Sequence, residues 1–503
     1  MRQTAVEKAF QTLMTIEKER SLLEGILEVL EWDESVMMPR GGGETRAEQK
    51  AYLAARLFET ITDPKLTEAL DVLESSAEMT DNVTAGNVKW LRRQQDRYLK
   101  IPKSLVEELA RLSTISVDAW AEARRQSQFS LFVPFLKQMV ELRKQTAKAI
   151  GYEHTPYDAL LDIYEPGATT QQLKQIFAEL QPKLTALLHR AEGSSRKPKS
   201  EILTRYYQRD LQKKLADMIL DVLGFDRERG RLDVSTHPFC RGVSAGDVRL
   251  TTRYDEYYFS DGFFSTIHEA GHGMYEQGLL SQLPKLAVAR ACSMGIHESQ
   301  SRLWENQVAR SQAFWEFFFP SVQAIFPEAL QGVTHHDFSF AVNHVEASFI
   351  RTESDEVTYN LHIILRFEIE QSLLNGELAV QDIPEAWNSR FRELFGLIPP
   401  NDAQGCLQDI HWSGGDFGYF PTYTLGNLYA AQFMEQMAVD LGDFASEFRR
   451  GQFQPLKQWL SKKIYSVGAT QLPSELCENV TGRSLSWEPL VNHLTQKVNT
   501  FYS

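Results

Sequence analysis

Long apolar runs are missing from this sequence. No window approaches the roughly 18 uninterrupted apolar residues of a membrane-spanning helix. The first residues, MRQTAVEKAFQTLMTIEKERSLLEG, carry charges where a secretory signal needs an apolar core, so a cytoplasmic protein with no membrane partner is expected. Cysteine is scarce as well. The four thiols, Cys240, Cys292, Cys406 and Cys477, lie too far apart for a zinc ribbon and too sparsely for a disulfide scaffold, and are expected to be buried and free. Positive charge is in deficit, with 53 Lys and Arg against 67 Asp and Glu and a net charge of −14. That balance argues against the basic field with which a protein meets nucleic acid or an anionic membrane. Internal repeats and low-complexity tracts are also absent, which excludes a solenoid.

What the chain does have is 503 residues, 43% of them hydrophobic, enough to bury a large core. Helical periodicity dominates. SLLEGILEVLEWDE spaces Leu22, Leu23, Ile26, Leu27 and Leu30 at helical intervals, and like spacing recurs around 104–150, 170–190, 201–223, 300–318, 339–375 and 426–447. One stretch differs. Residues 229–262, RGRLDVSTHPFCRGVSAGDVRLTTRYDEYYFSDG, are rich in Gly, Thr and aromatics and alternate in DVRLTTRY, the pattern of short strands and turns. The polar AEGSSRKPKS at 191–200 is expected as an exposed loop rather than a linker between domains. These patterns predict a mainly α-helical protein with a small β-ribbon. The expected organisation is a single domain over 1–503, with a helical wall over 1–228, the ribbon over 229–262 and a second helical part over 263–503.

The ribbon is followed by FFSTIHEAGHGMYEQG at 263–278, with Asp261 or Ser265 as the candidate N-cap of a new helix. Glycine inside a helix costs about 1 kcal/mol relative to alanine, so Gly271 and Gly273 are a poor way merely to build a stable helix. Glycine does let another backbone or a substrate come close. His268 and His272, four residues apart, project from one helix face and can share a metal ion, while Glu269 points beside them. A shuffled chain of this composition would show H-E-x-x-H roughly 0.02 times, which favours a real site. Zinc is the natural choice, because it accepts two imidazoles and a carboxylate and leaves a fourth position for water. Cobalt or manganese can occupy the same ligands. Glu269 is then the general base that takes the water's proton. For the third ligand, SMGIHESQSRLWENQ offers Glu298, reached through a Pro-containing turn at SQLPKL; Glu305, Glu276 and His297 compete for the place.

These residues sit in a wider pattern. In order, the chain carries WDESVMMPRGG at 32–42, YDALLDIYEPG at 157–167, HPF at 237–239, DVRLT at 247–251, HEAGH at 268–272, HESQ at 297–300, IRTESD at 350–355 and GCLQDIHW at 405–412. Through these segments, spread over nearly its whole length, the chain resembles the carboxypeptidase Taq family of metallocarboxypeptidases. The resemblance implies that His268, His272 and Glu298 bind one zinc ion and that Glu269 is the base. It further implies a helical body with a deep active-site cleft, a homodimer, and removal of C-terminal residues from peptides with broad side-chain tolerance but poor action before a C-terminal proline. Two departures stand out. Ser354 replaces the Ala of the family's I-R-x-x-A-D. In many His-His-Glu zinc peptidases an acidic residue one turn after the ligand Glu supports a ligand His, and here that place holds Arg302.

Peptide hydrolysis passes through an anionic tetrahedral intermediate, so hydrogen-bond donors must be held where its oxygen will be. QDIHWSGGDFGYFPTYTLG supplies His411, Tyr419 and Tyr423 in one segment; His411 and Tyr423 are the expected donors, spaced like the His and Tyr pair of thimet-like peptidases, with Asp409 holding His411. An enzyme that cuts from the carboxyl end also needs a cation for the terminal carboxylate. Arg351 is the first candidate and Arg249 the second, since a guanidinium meets a carboxylate with two parallel bonds. Tyr419 and His237 are expected to line the substrate site, and Trp32, Asp33 and Met37 to Pro39 to be structural, roofing it. The expected activity is metal-dependent carboxypeptidase. A zinc endopeptidase or dipeptidyl carboxypeptidase with the same chemistry is the first alternative, distinguished by whether a free carboxylate is required. A non-enzymatic helical binding protein is the second.

Overall fold

The computed structural model describes residues 4–76, 81–279 and 286–503, so the Pro-containing turn expected at SQLPKL lies almost wholly outside the described residues. Helices dominate, as the periodicity predicts, and local chemistry explains where they begin and break. The Ala5–Val36 helix opens on a reciprocal cap: the Thr4 hydroxyl accepts from the Glu7 amide, and the Glu7 carboxylate accepts from the Thr4 amide. The periodic window 104–150 is two helices, Lys103–Gln126 and Val133–Ile150, separated where Ser127 takes a left-handed backbone with φ of 52°. The window 300–318 holds Met294–Arg302, a π-helical turn at Leu303–Val308, and Gln312–Ile325. The window 339–375 is interrupted by irregular chain between His335–Val342 and Tyr359–Asn375. Among the described residues, no helix is long and apolar enough to cross a membrane.

The chain divides into two compact units, each assembled from three segments. The first comprises Met1–Leu99, Lys199–Val342 and Phe433–Arg483, and the second Lys100–Pro198, Asn343–Gln432 and Ser484–Ser503. The segment 191–200, expected as a loop rather than a linker, contains one of the crossings, between Pro198 and Lys199. Composition alone did not mark it, because its polarity suits a surface loop and a crossing equally.

The sheet belongs to the first unit and has three strands, β1 (Gly230–Val234), β2 (Phe239–Ser244) and β3 (Asp247–Thr252), in the order β1-β3-β2. The central strand β3 runs parallel to β1, with Leu232 opposite Leu250, and antiparallel to β2, with Cys240 opposite Leu250. Val248, Leu250, Thr251 and Thr252 of β3 are fully buried. The strands end earlier than expected. The next helix spans Phe259–Gly278, and Phe259 stacks on Phe263 one turn later at 5.2 Å and meets Phe338 edge-on at 5.2 Å. Each such ring pair contributes about 0.5–1.5 kcal/mol beyond its buried area, enough to draw the helix start forward. Neither candidate N-cap serves: the capping position is Tyr258, without a side-chain bond, while Asp261 pairs with Arg253 and the Ser265 hydroxyl donates to the Asp261 carbonyl. All four cysteines are free, and three are buried; Cys240 is only half-buried, because it sits on the edge strand β2.

Candidate active site

The two glycines of the HEAGH helix answer to close neighbours on both sides. A Cβ on Gly271 would stand 2.6 Å from the Gln300 carbonyl oxygen and 2.6 Å from Ser301 Cα, so this position lets the Met294–Arg302 backbone lie directly against the helix. A Cβ on Gly273 would stand 2.7 Å from Leu250 Cδ2 and 2.8 Å from Phe225 Cε2, on the sheet side. The helix is thus pressed between β3 and the segment that carries Glu298.

The consequence is a convergence of donors. Glu298 Oε2 lies 3.6 Å from His268 Nε2 and 3.4 Å from His272 Nε2, and one ligand atom from each residue falls within 4.8 Å of the others. Tetrahedral bonds of about 2.0–2.1 Å separate ligand atoms by roughly 3.3 Å, so the group fits a zinc-like ion, and the His-His-Glu chemistry suits one that keeps a position open. Glu298 is itself held: its Oε1 accepts from Arg302 Nε at 2.6 Å and its Oε2 from the Ser301 hydroxyl at 3.0 Å.

The competing residues have other tasks. Glu305 places Oε2 2.9 Å from His268 Nδ1, behind the face that meets Glu298, and is steadied by Arg302 and Arg310, each at 3.3 Å. The support sought one turn after Glu298, where Arg302 stands, therefore comes from two turns after, on the π-helical Leu303–Val308 segment. His297 stacks on His272 with ring centroids 4.4 Å apart, and its Nε2 meets Glu276 Oε1 at 2.8 Å. The His272 Nδ1 is buried with no hydrogen-bond partner among the described residues.

Burial governs the charge states. It pushes Glu269, which is 6% exposed, up to about 7 and His272 down to about 3. His268 is raised: burial opposes its charge, but Glu298 and Glu305 outweigh burial. For Glu298 and Glu305 burial works upward, and Arg302 followed by the His268 contacts holds both below the usual carboxylate range.

The other predicted residues lie in two places. In the second unit, His411 Nε2 meets the Tyr423 hydroxyl at 3.2 Å, with the Tyr419 ring 5.5 Å from the imidazole and 5.4 Å from the Tyr423 ring. Burial pushes His411 down to about 4 against the opposing pull of Asp409, which keeps the imidazole neutral near pH 7. Asp409 does not hydrogen-bond His411, whose Nδ1 lies 3.9 Å from Asp409 Oδ1. It serves arginines instead: Oδ1 accepts from Arg351 Nε at 3.0 Å and Nη2 at 2.8 Å, and Oδ2 from Arg366 Nε at 2.7 Å. Burial works against the Asp409 charge, and Arg351 and Arg366 override it, holding the carboxyl well below its ordinary range. Arg351 also donates from Nη1 to the Tyr359 hydroxyl at 2.8 Å. In the first unit, Arg249 binds Asp247 through two bonds of 2.9 and 2.8 Å and lies 4.4 Å over the Trp32 ring. Trp32 is buried beneath it, Asp33 accepts from Arg46 at 2.6 Å, and Met37 is exposed. His237 is exposed in the turn between β1 and β2, where its carbonyl accepts from the Ser235 hydroxyl at 2.6 Å.

Tyr359, Arg366 and Glu370 escaped the sequence analysis. Their signal was present: Arg366 and Glu370 interrupt YNLHIILRFEIEQSLLN, a segment otherwise apolar on most sides, and a charge inside a buried helix must have a partner.

Comparison with known proteins converges on one family. A family model described as carboxypeptidase Taq (M32) metallopeptidase matches residues 12–498. The chain is 43% identical over 507 residues to thermostable carboxypeptidase 1 of Thermus thermophilus, covering 99% of each chain. It is 39% identical over 474 residues to carboxypeptidase 1 of Bacillus subtilis, covering 94% of this chain and 95% of that one. Among solved structures, the M32 carboxypeptidase from Deinococcus radiodurans R1 matches with a TM-score of 0.96 at 36% identity, covering 98% of this chain and 99% of that one.

Proposed function

Because the chain belongs to the carboxypeptidase Taq (M32) family of metallopeptidases, we propose that His268, His272 and Glu298 hold its one catalytic metal ion and that Glu269 is its general base. The protein is a metal-dependent carboxypeptidase. The observation that carries the site assignment is the meeting of three ligand atoms within 4.8 Å beside a buried carboxyl group.

Zinc, with cobalt or manganese as substitutes, would be held by His268, His272 and Glu298 and would supply Lewis acidity for the scissile carbonyl and for water. Glu269 takes a proton from the attacking water and returns it to the leaving amine. A neutral His411 donates from Nε2 to the Tyr423 oxygen, which frees the Tyr423 hydroxyl proton for the oxyanion. Arg351 captures the terminal carboxylate: its contacts with Asp409 and Tyr359 use three of five N–H groups, leaving two. Arg249 is the alternative anchor, and Tyr419 and His237 line the substrate site. The enzyme acts on peptides with broad side-chain tolerance but poorly before a C-terminal proline, works as a homodimer, and resides in the cytoplasm. An endopeptidase would share the metal chemistry but has no use for a carboxylate anchor.

Metal analysis of dialysed protein, combined with product analysis on a small peptide library, tests this. Wild type should carry one ion per chain and release single C-terminal residues in a chelator-sensitive reaction. His268→Ala should lose both ion and turnover. Full occupancy and full activity in that variant would overturn the ligand assignment.

A further inference from the structure

The Tyr359–Asn375 helix is buried nearly all round, yet one of its faces is polar. Tyr359, Arg366 and Glu370 recur at intervals of seven and four residues, which brings them to the same side. Each holds a member of one catalytic neighbourhood. Tyr359 accepts from Arg351, and Arg366 donates to Asp409. Glu370, fully buried, accepts from three donors: Trp412 Nε1 at 2.9 Å on Oε1, and the Tyr157 hydroxyl at 2.8 Å and the Gly418 amide at 3.1 Å on Oε2.

The sequence positions of these partners matter. Asp409, Trp412 and Gly418 bracket His411 and the glycine-rich turn that leads into Tyr419 and Tyr423. The turn is tightly seated. Gly418 has φ of 88°, and a Cβ there would stand 2.7 Å from the Leu160–Leu161 backbone. The Trp412 ring stacks near Phe417 at 6.4 Å. Glu370 thus bonds residues on both sides of the turn. Its acidity has a geometric reason: Trp412 Nε1–H and the Gly418 amide are donors that cannot reverse, and they meet different oxygens, so only a group accepting at both satisfies them. An amide would face one of the two with its own NH2, whichever way it turned.

We propose that Glu370 is a positioning residue for the oxyanion donors. By accepting from Trp412 and Gly418 it fixes the 411–418 turn, and through that turn the place where His411 donates to Tyr423 and Tyr423 presents its proton. The inference rests on the donor role given above to His411 and Tyr423.

Glu370→Gln in the metal-loaded enzyme is the test. Displacement of donors by about an ångström can cost roughly 10²-fold, so kcat should fall by that order while KM and metal content stay near wild type. The double variant Glu370→Gln/Trp412→Phe removes the donor that the amide would clash with, and should recover kcat to the level of Trp412→Phe alone, which itself lies below wild type. A purely structural role would lower thermal stability without this kcat-selective loss and rescue. A folded, metal-loaded Glu370→Gln with kcat close to wild type overturns the proposal, as does a loss that the double variant leaves unrelieved. Should Glu370→Gln not fold, Trp412→Phe alone decides: a kcat fall at constant KM supports the role, and an unchanged kcat overturns it. His411→Ala and Tyr423→Phe separate the two levels. If these retain full kcat, the donor role fails and the inference with it; if they lose kcat and Glu370→Gln does not, only the positioning role fails.

Discussion

The proposed metal site of the first unit and the arginine cluster of the second are opposite in charge and in construction. At the centre, Glu269, Glu298 and Glu305 outnumber the guanidinium groups of Arg302 and Arg310, and the ligand carboxylate faces two imidazoles. In the cluster, the Arg351 and Arg366 guanidinium groups share the single carboxylate of Asp409. Buried charge is tolerated only when paired. In the function proposed above, the first place takes a cation and the second an anion, as a metallopeptidase that recognises a free C-terminus requires.

Three substitutions probe that contrast. Of the three, the largest effect is expected in the second unit, where Tyr423→Phe removes the proposed oxyanion donor. Its kcat should drop by roughly 10²–10³-fold with the metal retained, and a steady-state series at saturating peptide reads this directly. Arg351→Ala comes next. Wild type should cut a free-ended peptide far faster than its C-terminal amide, and the variant should lose most of that preference. Removing one partner of a buried, hydrogen-bonded charge pair costs about 2–5 kcal/mol, or roughly 30-fold or more in kcat/KM. Equal cleavage of both peptides by wild type would strip the cluster of its recognition role, whereas loss confined to Arg249→Ala would move the anchor to the sheet. The smallest effect belongs to Glu305→Gln. Weakening the partner of a ligand histidine should loosen metal binding by about tenfold or more, seen by competition with a chelator, while occupancy at saturating metal is restored. Unaltered affinity would mean that the 2.9 Å contact with His268 does not tune the site.

The two places also differ in how far the sequence exposes them. The proposed metal site is nearly local: His268 and His272 are one turn apart and Glu298 lies on the next helix, so periodicity and chemistry find the two histidines, while the resemblance singles out Glu298 from Glu305, Glu276 and His297. What escaped was the partner of His268. The rule of one turn after the ligand Glu leads to Arg302, which instead bonds Glu298, and the π-helical turn delivers Glu305 from further on. The cluster is assembled from distant chain: Arg351, Tyr359, Arg366, Asp409, His411 and Tyr423 meet only after folding. Resemblance supplied Arg351 and His411, but no spacing reveals that Asp409 turns to two arginines rather than to His411. The early start of the Phe259–Gly278 helix was hidden for a like reason, because Phe338, which it packs against, comes from remote sequence.

The central claim is that the HEAGH helix divides its labour, with the histidines holding the ion and Glu269 moving the proton. Glu269→Gln tests it most directly, with metal content and turnover measured on the same preparation. An amide keeps the shape and removes the base, so the variant should retain about one ion per chain while kcat falls by roughly 10²–10⁴-fold or more. Near-normal turnover with the ion in place would contradict the base assignment, and loss of the ion would show that Glu269 serves the metal rather than the water.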